Sequence, residues 1–258
     1  MLFKIYILQI IFLINLFGNN SYPINTTWDI QLQGKINENY NVQMYEIDLF
    51  DVSSDLIKRL QNKNIKVICY FNGGAWESFR DDERDFPKTV LGKIMDNYPD
   101  EKWVDIRSEL IKPIMEKRLD LAVEKGCDGV DPDNMNGYIN DTGFNLSFND
   151  QIKYNKYIAE EAKKRGLVVA LKNDLAQISE LVDNFDFLVN EECFEFNECD
   201  KLKPFILQNK AVFNIEYKKE YIENSELRAK ICKKSKEMNF STLFLSLELD
   251  DSLRITCP

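Results

Sequence analysis

Short runs of β-forming residues recur along the chain and alternate with stretches of helical spacing. The runs are WDIQL (28–32), YEIDLF (45–50), KVICYF (66–71), WVDIR (103–107), DGVD (128–131), LVVALK (167–172), FDFLVN (185–190), AVFNIEY (211–217) and STLFLS (241–246). Residues 51–64 place Leu56, Ile57 and Leu60 on one helical face behind a Ser53 or Ser54 cap. Residues 111–125 do the same with Met115, Leu119 and Ala122, and stop at Gly126. Residues 148–165 carry Ile152, Ile158, Ala159 and Ala162 and end in Lys163, Lys164 and Arg165 before Gly166, a favourable helix C-terminus. Strands that alternate with helices form parallel sheets, because a parallel neighbour requires a crossover and a helix supplies it. No linker or internal repeat divides the chain, so the expectation is one α/β domain. Eight or nine strands in a chain of 258 residues fit a single (β/α)8 TIM barrel better than an open doubly wound sheet. One run is then surplus, either 28–32 or 241–246.

The first 21 residues stand apart. MLFKIYILQIIFLINLFGNNS has one lysine, an apolar stretch too short for a confident membrane span, and then small polar residues. This is the pattern of a secretory signal peptide cleaved near 18–21, leaving 22–258 as the mature domain. An uncleaved anchor is the competing reading. Six cysteines fit an oxidising compartment. Cys193 and Cys199 bracket a short polar loop and are easily bridged, and Cys232 with Cys257 and Cys69 with Cys127 complete the expected set. Sequons at Asn25, Asn140, Asn145 and Asn239 agree with a secreted glycoprotein. A formal net charge of −10 argues against nucleic acid as a partner and suits a cationic ligand, although a solvated acidic surface explains it equally well.

The chain contains no histidine. That excludes a Ser-His-Asp triad, a Cys-His dyad and a His-ligated zinc site. Acid and base must come from carboxylates, Tyr, Lys or Cys. One stretch presents carboxylates in a way that invites chemistry: in CDGVDPDNMNGY (127–138), Asp131 and Asp133 flank a rigid Pro132 where a strand stops. Residues two apart on a strand face the same side, and proline holds the preceding residue extended. The other runs end similarly, with Asp48, Asn72, Asp105 and Arg107, Lys172 and Asn173, Asn190 and Glu191, and Glu216 at or just past their C-terminal ends. In a barrel those ends form one rim, where active sites are built. A polar residue after one strand is usually a cap or turn. Seven strands ending this way define a site.

The blocks CYFNGGAWESFRDD (69–82), WVDIRS (103–108), GCDGVDPDNMNGY (126–138), GLVVALKND (166–174), VNEECFEFNEC (189–199) and KAVFNIEY (210–217) resemble, in order, those of glycoside hydrolase family 114. This is the endo-α-1,4-polygalactosaminidase family, some of whose members are labelled α-galactosidases. The resemblance runs from about Trp28 to Cys257. It implies a (β/α)8 barrel that cleaves α-1,4-linked galactosamine or N-acetylgalactosamine polymers without a metal or other cofactor. It also implies catalytic carboxyls at Asp133, in the DPDN block, and Glu191, the first Glu of the NEEC block. The substrate-binding set expected around them is Asp48, Tyr70, Asp105, Arg107, Asp131, Asn134, Lys172, Asn173, Glu216 and Tyr217. Asn136 stands where the family commonly has Asp, Glu192 where it has Gln, and residues 74–76 vary, which leaves substrate preference open.

The residues themselves agree, since a glycosidase needs two carboxyls across the scissile bond and no histidine. Competing readings remain at this stage. Asp131, Asp133 and Glu191 could hold a divalent cation. Asp131 could simply accept backbone hydrogen bonds. Lys172 and Asn173 could orient a carboxylate or form a buried ion pair, and Arg107 with Asp105 could be a structural pair. Trp28, Tyr70, Trp76 and Tyr217 could stack on sugar rings or pack in the core. A secreted carbohydrate-binding barrel without turnover is the alternative function, and a monomer is expected in either case. Intact mass of the secreted protein tests the leader: the expected N-terminus lies just past residues 18–21, and a mass that retains Met1 contradicts cleavage.

Overall fold

The computed structural model describes residues 22–257, so the expected signal segment lies outside the described residues. The elements begin with β1 (Trp28–Gln31), β2 (Met44–Asp48), α1 (Ser54–Gln61) and β3 (Lys66–Asn72). An insertion follows with three short strands, β4 (Ala75–Glu77), β5 (Leu91–Met95) and β6 (Tyr98–Val104). The alternation then resumes with α2 (Lys112–Lys125), β7 (Gly129–Asp133), α3 (Phe148–Lys164), β8 (Val168–Lys172), α4 (Ile178–Leu181), β9 (Phe187–Glu191) and α5 (Lys203–Leu207). It closes with β10 (Val212–Glu216), α6 (Lys219–Glu223), α7 (Ser225–Glu237), β11 (Ser241–Leu245) and β12 (Arg254–Thr256).

Nine strands make one sheet in the order β1-β2-β3-β7-β8-β9-β10-β11-β12. All neighbours pair in parallel except β11 with β12. The sheet curls, so that its two ends meet: Trp28 Nε1 donates to the Ser241 carbonyl at 2.9 Å, and Leu32 N to the Leu249 carbonyl at 2.9 Å. Neither 28–32 nor 241–246 is surplus. The expected strand at 103–107 is the one that does not join, because Trp103 and Val104 end β6 in a separate antiparallel sheet ordered β4-β6-β5. The architecture also departs from eight regular β/α units. No helix separates β1 from β2, and β11 is followed by an antiparallel strand.

Helix boundaries follow local chemistry. Ser53 caps α1 by accepting from Leu56 N, and Ser147 with Asp150 forms a capping box on α3. Gly126, at φ 88°, ends α2 in the left-handed region. Along the central strands, alternation separates two apolar layers. Ile47, Val67, Cys69, Phe71, Val130, Val169, Leu171 and Leu188 face the helices in the outer core. Met44, Ile68, Val168, Ala170, Phe187, Val189, Phe213 and Ile215 fill the inside of the curl with Trp28. Trp28 is therefore core, stacked 4.8 Å from Phe213, and not a sugar platform.

The three disulfides are Cys69–Cys127, Cys193–Cys199 and Cys232–Cys257, the expected set. Cys69–Cys127 ties β3 to the turn before β7 across a separation of 58 residues, whereas Cys193–Cys199 spans only 6. Loop-closure entropy grows with the loop, so the long link contributes more. Replacing Cys69 and Cys127 together by Ala should lower stability by about 2–4 kcal/mol in denaturant titration, and by more than the Cys193/Cys199 double variant. Equal losses would show that strain or packing, not chain entropy, sets the effect.

Candidate active site

The inner face of the curl changes character at the strand ends. Below are the apolar residues just described; above, the same alternation brings up Glu46 and Asp48 from β2, Tyr70 from β3, Asp131 and Asp133 from β7, Lys172 from β8 and Glu191 from β9, with Tyr217 just past β10. Most of these line a cavity of about 1100 Å³ together with Asn134, Asn173 and residues of the insertion. Glu46 and Asp131 lie beneath it, fully buried.

Lys172 sits at the centre. Its buried ammonium lies 3.4 Å from Asp133 Oδ1, 3.8 Å from Glu191 Oε2 and 3.9 Å from Asp131 Oδ2. Burial alone pulls a lysine pKa down, but the charges of Asp133, Glu191, Asp131 and Glu46 outweigh it and hold Lys172 well above its usual range. It is a fixed cation.

Both carboxylates that face the cavity are held at each oxygen. Asp133 Oδ2 accepts from the Tyr70 hydroxyl at 2.8 Å, and Oδ1 from Asn134 N at 2.7 Å. Glu191 Oε1 accepts from the Tyr217 hydroxyl at 2.7 Å, and Oε2 from Asn173 Nδ2 at 3.0 Å. Asn173 Oδ1 accepts from Glu191 N and from Asn190 Nδ2, which fixes its amide so that Nδ2 faces the carboxylate. Burial, then the adjacent carboxylate, drives both tyrosine hydroxyls well above their usual pKa, so they serve as neutral donors. The distances from Lys172 Nζ, laid end to end, bound the gap between the nearer Asp133 and Glu191 oxygens at about 7 Å.

The backbone turns sharply just after each of these strands. Asn134, Asn173 and Glu192, which directly follow Asp133, Lys172 and Glu191, have φ of 59°, 51° and 62°. Asn tolerates the left-handed region; for Glu192 it is a local cost of order 1 kcal/mol or more. The turn after β3 closes over this edge as well. Gly73 N and Gly74 N donate to the Asp133 carbonyl at 2.9 and 3.0 Å, and a Cβ on Gly74 would collide with the Asn134 carbonyl. Gly74 is thus required by close approach to the chain that carries Asp133.

The insertion forms one wall. Asp48 does not point freely into the cavity, because buried Arg80 binds it along with Glu77 at 3.0 Å. Arg118, also buried, donates to the Asn72 carbonyl at 2.6 Å and to Asp82 at 2.7 Å. Asn72 Nδ2 in turn donates to Glu101 Oε2 at 3.0 Å. Burial, helped by Glu77 and Asp133, pushes Glu101 up to about 7. Tyr98, on the same strand, lines the cavity with Asp133 and Glu191, and its hydroxyl is raised by burial and then by Glu191 and Asp133.

Several residues expected here are elsewhere. Asp105 and Arg107 leave the end of the insertion and pair with each other at 2.8 Å near the surface, with Arg107 also reaching the Asn145 carbonyl; neither lines the cavity. They are absent from the rim because 103–107 is not a strand of the main sheet. Glu216 faces the helices. Its Oε1 accepts from Phe194 N at 2.9 Å and Asn214 Nδ2 at 3.1 Å, and burial raises it to about 7. Alternation from Ile215 and Tyr217 puts it on that side. Trp76 donates to the Glu83 carbonyl and stacks with Lys102, away from the cavity. Glu46, Arg80, Tyr98 and Glu101 were not anticipated. Glu46 was findable, since it lies two residues before Asp48 on one strand; the others depend on how the insertion folds back.

Two held carboxylates with a buried ammonium between them, at the mouth of a curled α/β sheet, have the make-up of a glycoside hydrolase centre. The chain belongs to glycoside-hydrolase family GH114, whose sequence profile matches residues 18–258, and it is a glycosidase. Among solved structures it is similar to Ega3 of Aspergillus fumigatus in complex with galactosamine, at 36% identity and a TM-score of 0.87, over 92% of this chain and 97% of that one. The glycoside hydrolase domain of PelA from Pseudomonas aeruginosa matches at 10% identity and TM-score 0.69, over 91% of this chain and 99% of that one. An α-galactosidase of Thermus thermophilus matches at 12% identity and TM-score 0.56, over 86% of this chain and 58% of that one. These last two show the fold alone. No curated protein matches the chain.

Burial raises Asp131 to about 6, Glu101 and Glu216 to about 7 and Asp174 to about 8. Each folded value lies above the unfolded one, so between pH 4 and 8 the native state binds more protons than the unfolded state. Stability contributed by these groups is therefore present at low pH and lost as pH rises through that window. The melting temperature should fall from pH 5 to pH 8, and Asp174→Asn should flatten the upper part of the slope. A melting temperature that rises across this range would contradict the assignment.

Proposed function

We propose that the chain is a secreted endo-glycosidase acting on α-1,4-linked galactosamine or N-acetylgalactosamine glycans through Asp133 and Glu191, without a metal. The carrying observation is the pair itself, both oxygens of each carboxylate held and Lys172 fixed between them. Similarity over nearly the whole chain to a structure holding galactosamine supports the substrate class. The three disulfides support an oxidising compartment. We read the curled sheet as a (β/α)8 barrel whose first connection has lost its helix.

Each carboxylate has one oxygen on an N–H and one on a tyrosine hydroxyl, so it is the distance to the ammonium, 3.4 Å for Asp133 against 3.8 Å for Glu191, that favours different roles. Asp133 Oδ1 is bound by a backbone N–H, which can only donate, and is the carboxylate oxygen nearest the ammonium. It is thereby placed to attack the anomeric carbon or to activate water. Glu191 Oε1 faces only a hydroxyl, which can turn and accept, so this oxygen can carry a proton toward the leaving-group oxygen. In the first step the glycosidic bond breaks as Glu191 delivers that proton and Asp133 stabilises or traps the oxocarbenium-like centre; water then completes hydrolysis. Tyr70, Tyr217, Asn173 and Lys172 hold the pair in place.

Asp133→Asn or Glu191→Gln should each lower kcat on polygalactosamine at least about 100-fold with little change in melting temperature. Treatment with EDTA should leave activity intact. Normal turnover in either variant, loss on chelation, or glycan binding with no hydrolysis would overturn this reading.

A further inference from the structure

Four carboxyl groups, those of Glu46, Asp131, Asp133 and Glu191, surround the single ammonium of Lys172. The outer two are hydrogen-bonded. The inner two are not: Glu46 and Asp131 are fully buried, and no N–H or hydroxyl reaches any of their oxygens, with Lys172 3.9 Å from Asp131. The other polar groups facing this space are Asp48, already bound by Arg80, and Tyr70 and Tyr217, whose hydroxyls are committed to Asp133 and Glu191. β1, β10 and β11 contribute the apolar Ile30, Ile215, Leu243 and Leu245.

Two carboxylate ions cannot be left together in such a place, because each would lack both water and donors. One proton between them removes the conflict, as in other carboxyl pairs sharing one site. We propose that Glu46 is held as a neutral carboxylic acid donating to ionised Asp131, and that the pair is a positioning device that anchors Lys172 from below between the catalytic carboxylates. Lys172 lies 3.9 Å from Asp131 and forms no ion pair with Glu46, so the ammonium favours the negative charge on Asp131 and leaves the proton to Glu46, which burial and then the charge of Asp131 push well above the usual range. Asp131 thereby remains a counter-charge to Lys172 that takes no part in bond breaking. Lys172 thus has a counter-charge beneath it in addition to the two carboxylates that face the cavity. The positioning role rests on the glycosidase reading above; the protonation state does not.

Infrared spectroscopy of the full chain separates the two. At pH 8 the native protein should show the carbonyl stretch of a buried carboxylic acid that survives Asp174→Asn and Glu191→Gln but disappears in Glu46→Gln. Absence of that band from the native protein, or its persistence in Glu46→Gln, overturns the proposal even if the glycan is hydrolysed. The pH profile of kcat/KM then tests positioning. Glu46→Gln keeps a donor for Asp131 and should leave the acidic limb in place, whereas Asp131→Asn removes a negative neighbour and should move that limb down by about one pH unit. Equal shifts in the two variants would show that Glu46 is charged and the proposal wrong.

Discussion

The Lys172 ammonium, buried among carboxylates, is the interaction on which the site depends. A lysine is removed from water only at a cost of several kcal/mol, and a buried carboxylate costs as much. Here each is tolerable only because the other is present. Removing the buried Lys172 would leave the buried carboxylates uncompensated, typically about 3–5 kcal/mol, whereas Asp133 and Glu191 keep contact with the cavity. The same arrangement draws Asp133 and Glu191, from strands separated by β8, toward one point. Stability and the geometry of the site are thus linked through a single charge.

Around that charge the protein arranges donors in layers. Tyrosine hydroxyls and the Asn173 amide hold Asp133 and Glu191 from the sides, and the left-handed residues after β7, β8 and β9 turn the chain away so that the strand ends stay open to the cavity. The insertion between β3 and α2 adds a wall through a second buried ionic group, in which Arg80 and Arg118 answer Asp48, Glu77 and Asp82. This group makes no ion pair with Asp133 or Glu191. It fixes the relation of wall to sheet, and with it the position of Glu101 and Tyr98 over the site.

Much of the fold was legible because its cause is local. The two-residue alternation in KVICYF or LVVALK and the caps at Ser53 and Gly126 are properties of a few consecutive residues, and the structure has strands, helices and ends where they indicate. The strand at 103–107 was misplaced for the same reason. WVDIR has the composition of a strand, but composition does not say which sheet it joins, and its partners are β4 and β5 rather than the central strands.

For the site, the chain by itself determined which chemistry was available: no histidine, and carboxylates at strand ends from Asp133 to Glu191. It also determined, by period two, that Asp131 would lie below Asp133 on one face. The tertiary structure alone decided which of these groups meet. Lys172 reaches Asp133 and Glu191 because β8 lies between β7 and β9, and Glu46 reaches Asp131 because the curl brings β2 and β7 together across β3. Glu216 faces away for a reason sequence contains only in part, since parity shows that it opposes Tyr217 but not which of the two looks inward. That choice belongs to the packing, where the side that buries Phe213 and Ile215 inside the curl carries Tyr217 with it.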